Sequence, residues 1–299
     1  MKARALILYL LFTLSGVAGL GYEIIWTRQF AVGLGHEFPA VVAVVAAFFG
    51  GFAVGAIALD GAVARSAHPA RWYAGLEAVV GLWALATILL IPAANDALAA
   101  WVGWETTPLR QWFASFIVPM IGLLPATAAM GATLPAMDRL IEHVTSRGRV
   151  IGGLYAVNTF GAVVGTLAVT HAIVPAFGYR GAVIGLAMVN LACAGLVVVC
   201  AGQSRPVPCG AGAGAVAVGS GPVQRPPATH AATTGAATID AAPGRRSLYV
   251  VLFVTGLLSI GYEILGVRVM AQVLENTVYS FASALAVYLA GTALGAGHY

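Results

Sequence analysis

The chain has 299 residues, of which 60% are hydrophobic and only 9% are charged, and its mean hydropathy is +0.90. Because soluble domains carry about 25% charged residues, this composition excludes a water-soluble globular protein. The net charge of +4 comes from scattered basic residues rather than from a basic cluster, so it implies no nucleic-acid partner.

Eight apolar stretches of the length that a bilayer requires predict an all-α polytopic membrane protein whose first partner is the lipid bilayer. In chain order these stretches cover residues 6–34, 39–59, 73–92, 112–137, 150–174, 181–201, 248–274 and 277–297. Three cysteines and six histidines follow no spacing typical of a metal site or a disulfide framework. We therefore expect neither a metal nor a cofactor.

The distribution of basic residues predicts the orientation of these crossings. If the N-terminus is cytoplasmic, the outer loops hold only Arg110 and Arg180, and most other basic residues fall in inner segments. Retained cytoplasmic loops are enriched in Lys and Arg, so the pattern favours eight crossings with both termini in the cytoplasm.

Between the sixth and seventh stretches, residues 202–247 consist almost entirely of small and polar residues. Such a segment has too few large apolar side chains to offset the entropy of ordering, and it is predicted to be a disordered cytoplasmic linker. The chain then divides into a six-helix bundle (1–201), this linker (202–247) and two further transmembrane helices (248–299).

The last two helices repeat the first two. Residues 16–56 match residues 256–296 at a constant offset of 240, and the repeat as a whole relates 248–299 to 8–59. The identities include Gly-Tyr-Glu at Tyr22 and Tyr262, and an arginine five residues after each glutamate. Six crossings separate the copies, so both run in the same direction, as in the parallel repeat that relates the two halves of major facilitator transporters.

Several motifs resemble one known family, the bacterial proteins that fuse a major-facilitator-like membrane region to a spermidine synthase-like domain. The motifs are "LSGVAGLGYEIIWTRQFAVGLG" with "AAFFGGFAVGA", the second copy "VTGLLSIGYEILGVRVMAQVLENTVYSFASALAVYLAGTALGA", and "MGATLPAMDRL" through "GRVIGGLYAVNTFGAVVGTLAV". The resemblance implies an inner-membrane, multi-pass module: a six-helix half plus the first two helices of its repeat.

In longer members of that family, a cytoplasmic aminopropyltransferase domain follows the membrane region. No residue of this chain matches the domain that binds decarboxylated S-adenosylmethionine and a polyamine. This favours a non-enzymatic chain, either a split or truncated member or the membrane half of an encoded pair, and leaves a spermidine synthase as the enzymatic alternative.

Ionisable residues inside transmembrane helices are expensive and mark candidate sites. Glu23 and Glu263 each stand beside a tyrosine, Tyr22 and Tyr262, in an apolar helix. A carboxylate and an aromatic face both attract ammonium groups, so these four residues are the candidate site for a polyamine. The alternative is structural: Glu23 would pair with Arg268, and Glu263 with Arg28.

Weaker candidates lie elsewhere in the chain. Asp60 and Arg65 fall in the predicted loop after the second helix, where major facilitator transporters carry a gating motif; an ordinary basic loop is the alternative. Tyr155, Asn158 and Thr159 are spaced to form one polar stripe on the fifth helix, for helix-to-helix hydrogen bonds or for substrate contact.

Glycine pairs four residues apart permit close helix packing, and they occur at Gly51/Gly55, Gly161/Gly165 and Gly291/Gly295.

Besides the enzymatic alternative, two non-enzymatic functions remain open from the sequence. One is a transporter-like module that anchors or serves a polyamine-synthesising cytoplasmic partner. The other is an independent transporter of polyamines or related cations, which a homodimer would complete.

Overall fold

The structure is a computed structural model that describes residues 2–35, 37–102, 107–142, 150–202, 245–273 and 278–298. Those residues are helical almost throughout and contain no strand, which confirms the predicted all-α class. The helices are α1 (Lys2–Leu34), α2 (Glu37–Arg65), α3 (Pro69–Val102), α4 (Pro108–Glu142), α5 (Val150–Ala168), a π-helical turn (Val169–Ile173), α6 (Val174–Gly202), α7 (Arg245–Val273) and α8 (Val278–His298).

Six helical stretches of the described chain are long and apolar enough to cross a membrane. The chain is therefore a helical, multi-pass membrane protein. One stretch, Ile151–Cys200, has 50 residues, or about 75 Å of helix at 1.5 Å per residue, against a hydrocarbon core of about 30 Å. Gly178, with φ of 67°, interrupts this stretch where the sequence separates the fifth and sixth crossings. The apolar part of α7, Val250–Gly266, is shorter, so the count of eight stays a prediction.

The helices α2, α3 and α4 extend beyond the apolar stretches that predict them. Asp60 and Arg65, which were expected in a loop, lie in the last turns of α2. The hydropathy pattern marks only the part of a helix that is apolar, whereas backbone hydrogen bonding continues until a residue breaks it. At the end of α1 that residue is Gly35: its φ of 73° suits glycine, and its N–H donates to the Ala31 carbonyl at 3.0 Å.

The chain forms two compact units. The first comprises Met1–Gln203 and Gly261–Tyr299, and within it α8 packs on α5. The second comprises Ser204–Ile260, and its described part is the first half of α7. The predicted linker, 202–247, lies almost wholly outside the described residues.

Packing within the first unit follows a regular pattern. The helix α2 packs on α4 as α1 packs on α5, and α3 contacts α4 as α1 contacts α6; α3 also packs on α6. Exchanging α1, α2 and α3 with α4, α5 and α6 therefore maps these pairs onto one another.

Glycines bring α2 against α4. A methyl group at Gly51 would collide with the Thr127 side chain, and one at Gly55 would collide with the Ala128 carbonyl. Gly131 of α4 is equally close to the Phe52 backbone. Such approach requires residues without side chains, as the spacing of this glycine pair predicts.

The glycine pair on α5 serves the same purpose against α1. Gly161 lies against the Thr13 carbonyl, and Gly165 lies against the Val17 carbonyl. In contrast, a methyl group at Gly291 or Gly295 on α8 would meet no atom of the described residues within 4 Å.

This difference between repeat counterparts yields a test. Gly55→Leu should lower the melting temperature, because overpacking at a tight contact costs about 1–3 kcal/mol. Gly295→Leu introduces the same side chain at the corresponding position and should leave stability within about 0.5 kcal/mol of the wild type. Thermal unfolding in detergent, followed by intrinsic fluorescence, compares the two, and equal losses would contradict the packing described.

Candidate functional site

A buried acidic side chain, Glu77, lies in α3 among the first six helices. It is fully buried, and it is the single acidic residue in the apolar segment "WYAGLEAVVGLW". Its Oε2 atom accepts a hydrogen bond from Nδ2 of Asn190 on α6 at 2.6 Å. Within the described residues Glu77 forms no ion pair. A carboxylate is thus held inside the bundle by an uncharged donor.

Tyr22 completes this network from α1. Its hydroxyl donates to Oδ1 of Asn190 at 2.8 Å, while the amide of Asn190 donates to Glu77. Each end of the amide therefore meets the partner it needs, and the reverse orientation would place two oxygens against each other. The three residues link α1, α3 and α6, and all three are buried.

The other oxygen of Glu77 is less well satisfied. Among the described residues, its Oε1 atom has no hydrogen-bond partner, and neither does the Tyr73 hydroxyl one turn earlier on α3. The hydroxyls of Ser15 and Tyr73 lie close enough to interact with the carboxylate, but neither has the geometry of a hydrogen bond to Oε1. The network thus keeps one open acceptor in a buried position.

Aromatic side chains enclose the network on the α1 side. Trp26 stacks on Tyr22, with ring centroids 5.0 Å apart and planes at 11°, and its Nε1 donates to the Thr87 hydroxyl at 3.0 Å. Phe48 of α2 packs against Trp26 with a centroid distance of 5.7 Å. These contacts fix the Tyr22 ring and shield the hydrogen bonds behind it.

This geometry suits the binding of a small positive charge. An ionised carboxylate without a cationic partner is strongly destabilised away from water. Inside a membrane protein such groups mark ion or proton pathways. A proton on Oε1 of Glu77, or a dehydrated monovalent cation beside it, would supply the missing charge. Within the described chain, no three His, Cys, Asp or Glu side chains come together as metal ligands would, at Glu77 or at any other position.

The predicted polyamine residues occupy different environments. Tyr22 and Glu23 of α1 are both buried, and Tyr22 belongs to the Glu77 network. Tyr262, the counterpart of Tyr22, is 73% exposed on α7, so the structure does not bring the two tyrosines into one site. Glu263 lies within α7, and its side chain is outside the described part of the chain.

The two candidate arginines also differ. Arg28 is partly buried on α1, and Arg268 is exposed on α7. The pairs Glu23 with Arg268 and Glu263 with Arg28 stay predictions.

The weak gating candidate has a structural partner. Asp60 accepts a hydrogen bond at 3.3 Å from the guanidinium of Arg139, so the pair links the ends of α2 and α4. The Asp60 side chain is 57% exposed, and solvent therefore screens the interaction. Arg65 is exposed at the last turn of α2.

The predicted polar stripe on α5 does not share one environment. Thr159 is buried and donates to the Tyr155 carbonyl of its own helix at 2.8 Å, whereas the Tyr155 side chain is exposed. Asn158 lies where α5 meets Gly16 of α1.

The sequence carries a local signal for Glu77, which is absent from the predicted site residues. The rule that singles out Glu23, an acidic residue within an apolar stretch, applies equally to Glu77 in the third stretch. Asn190 carries no charge, so this rule does not single it out, although asparagine side chains form hydrogen bonds between transmembrane helices. Its partners are 113 and 168 residues away in the sequence.

Protein-family models, curated proteins and solved structures were compared with the chain, and none of them matches it. The sequence and the fold together define the class of the protein. It is a helical, multi-pass membrane protein with a buried acidic network.

The repeat offers a matched test of this network. Tyr22→Phe keeps the ring that stacks on Trp26 but leaves Oδ1 of Asn190 without its donor, so it should destabilise the protein by about 1–3 kcal/mol. Tyr262→Phe removes the same hydroxyl from an exposed position and should have no effect. Thermal unfolding in detergent distinguishes them, and an unchanged Tyr22→Phe variant would argue against the hydrogen bond.

Proposed function

We propose that the chain is a transporter-like membrane module in which Glu77 binds the proton, or the small monovalent cation, that accompanies transport. The observation that carries this proposal is a fully buried carboxylate with an unpaired oxygen and no ion pair among the described residues. A proton adds almost no volume, so Glu77 can bind one with the helices packed as they are in this structure. A polyamine would require the surrounding helices to separate.

The helix packing supports a transporter-like architecture. A six-helix half of a major facilitator transporter is built from two inverted three-helix repeats, and the exchange of α1–α3 with α4–α6 preserves the five packing pairs named above. The motifs that resemble the spermidine synthase fusion family agree with this architecture. On this proposal the chain is a six-helix half followed by two helices of the second half, crosses a bacterial inner membrane eight times, and has both termini in the cytoplasm.

Two roles follow from the same module. In the first, which the resemblance suggests, the chain anchors or serves a cytoplasmic aminopropyltransferase-like partner. In the second, it transports polyamines or related cations without such a partner, as a homodimer in which a second copy contributes helices. A buried carboxylate gives no advantage to a mere anchor, because an ionisable group in the membrane lowers stability. Glu77 therefore favours a role that includes cation movement.

Within that role, the substrate would meet a different part of α1. Glu23 is a second buried carboxylate one residue from Tyr22, and it remains the residue proposed to contact an ammonium group. Glu77 and Glu23 then have separable tasks: Glu77 binds the accompanying cation, and Glu23 contacts the substrate.

Proteoliposomes that enclose a pH-sensitive dye test the separation. Adding spermidine or putrescine should change the internal pH when wild-type protein is present. Glu77→Gln keeps the acceptor for Asn190 but cannot bind the proton, so the signal should fall to that of empty liposomes. Binding of labelled spermidine to this variant in detergent should persist.

Two further variants separate cation binding by Glu77 from substrate contact by Glu23. Glu23→Gln should weaken spermidine binding, whereas Glu142→Gln, at an exposed glutamate at the end of α4, should change neither readout. A Glu77→Gln variant that moves protons like the wild type would refute the proposal. If the wild type neither binds polyamines nor moves protons, the chain is an anchor.

The orientation has its own test. A reporter that is active only in the cytoplasm, fused near Gly219 in the predicted linker, should be active on this proposal. Activity of a reporter that requires the periplasm at the same position would overturn the orientation.

A further inference from the structure

A second feature, separate from the Glu77 network, is a cleft of about 610 Å³ between α2, α3 and α4. One end is formed by the short connection between α2 and α3, where the Ser66 hydroxyl accepts a hydrogen bond from the His68 N–H at 3.1 Å. The other end reaches Pro125 of α4. The cleft therefore starts at the polar end of these helices and continues into their apolar part.

The polar end of the cleft is basic. His68 and Arg71 both line it, and both residues are exposed. The Arg71 guanidinium has no ion-pair partner within the described residues. An exposed cation that is not neutralised by the protein favours an anionic ligand at this position.

The remainder of the cleft is apolar. Its walls include Leu59, Leu76, Val79 and Ala128, and Trp72 lies beside the basic end. From Arg71 to Val79 the helix rises about 12 Å, which is the length of a substantial part of an acyl chain. Contact with these apolar side chains would add no binding free energy for a free inorganic anion.

Glycine keeps this cleft open. Gly75 lines it, and a methyl group at that position would meet no atom of the described helices within 4 Å. It differs in this respect from Gly55, which is needed for contact between helices. A side chain at Gly75 would instead occupy the space of a ligand.

We propose that this cleft binds one anionic glycerophospholipid, with its phosphate at Arg71 and His68 and an acyl chain along Leu76 and Val79. Basic pockets between transmembrane helices bind anionic lipid headgroups. The helices that form the cleft are membrane-crossing, so a lipid reaches it from the bilayer without passing through water. The site is independent of the cation role of Glu77.

Native mass spectrometry of the detergent-purified chain tests the charge requirement. Phosphatidylglycerol and phosphatidylcholine with identical acyl chains are titrated separately, and we expect one tightly bound phosphatidylglycerol and weaker binding of phosphatidylcholine. Arg71→Gln should weaken phosphatidylglycerol binding about fivefold, which corresponds to the loss of one basic residue near a lipid surface. Arg65→Gln, at an exposed arginine that does not line the cleft, should bind as the wild type does.

A pair of glycine variants tests the cleft itself. Gly75→Leu fills it and should abolish the tight site for phosphatidylglycerol. Gly185→Leu places the same side chain at another glycine with open space around it, on α6, and should retain that site. Both changes avoid tight contacts, so both variants should fold.

Three results would overturn the proposal. They are equal binding of the two lipids with no effect of Arg71→Gln, an unchanged tight site in Gly75→Leu, and displacement of the lipid by inorganic phosphate at a similar concentration. The last result would identify a simple anion site instead of a lipid site.

Discussion

The contact between Glu77 and Asn190 is the constraint on which the arrangement of the bundle depends. A carboxylate buried among apolar helices has no water to solvate it, so its hydrogen bonds must come from neighbouring helices. Asn190 of α6 supplies one donor, and Tyr22 of α1 fixes the orientation of that amide. Movement of any of these three helices separates a buried polar pair. The same bonds therefore both secure α1, α3 and α6 and enclose Glu77 within the bundle.

Close packing complements this polar constraint. In a bilayer the hydrophobic effect does not draw one apolar helix to another, so helices associate through van der Waals contact and hydrogen bonds. Gly55 admits the backbone of α4, and Gly165 admits the backbone of α1. These contacts hold α2 on α4 and α5 on α1, whereas the Glu77 network holds α1, α3 and α6. Because α1 belongs to both sets, Tyr22 lies where packing and polar contacts meet.

Most of the fold could be predicted from local properties of the sequence, and the site could be predicted only in part. Apolar stretches gave the helices, and the spacing of Gly51 and Gly55 gave a packing surface. Glu77 carries a local signal, its charge within an apolar stretch. The pairing of Glu77 with Asn190 has none, since 113 residues separate them and only the packing of α3 on α6 brings them together. Asp60 was assigned to a loop because hydropathy marks the apolar part of a helix and not its end.

The repeat shows why identical local sequences do not imply identical roles. Tyr22 and Tyr262 stand in the same Gly-Tyr-Glu motif, yet the first is buried with Asn190 as its partner and the second is 73% exposed. Gly55 lies against α4, whereas no described residue covers Gly295. Burial and partners come from the helices packed around a motif, and these differ between the two copies. Glu77 lies outside the repeated segment, in α3. A cation site built on Glu77 is therefore a property of the first six helices and does not require the symmetry that the repeated glutamates, Glu23 and Glu263, suggest.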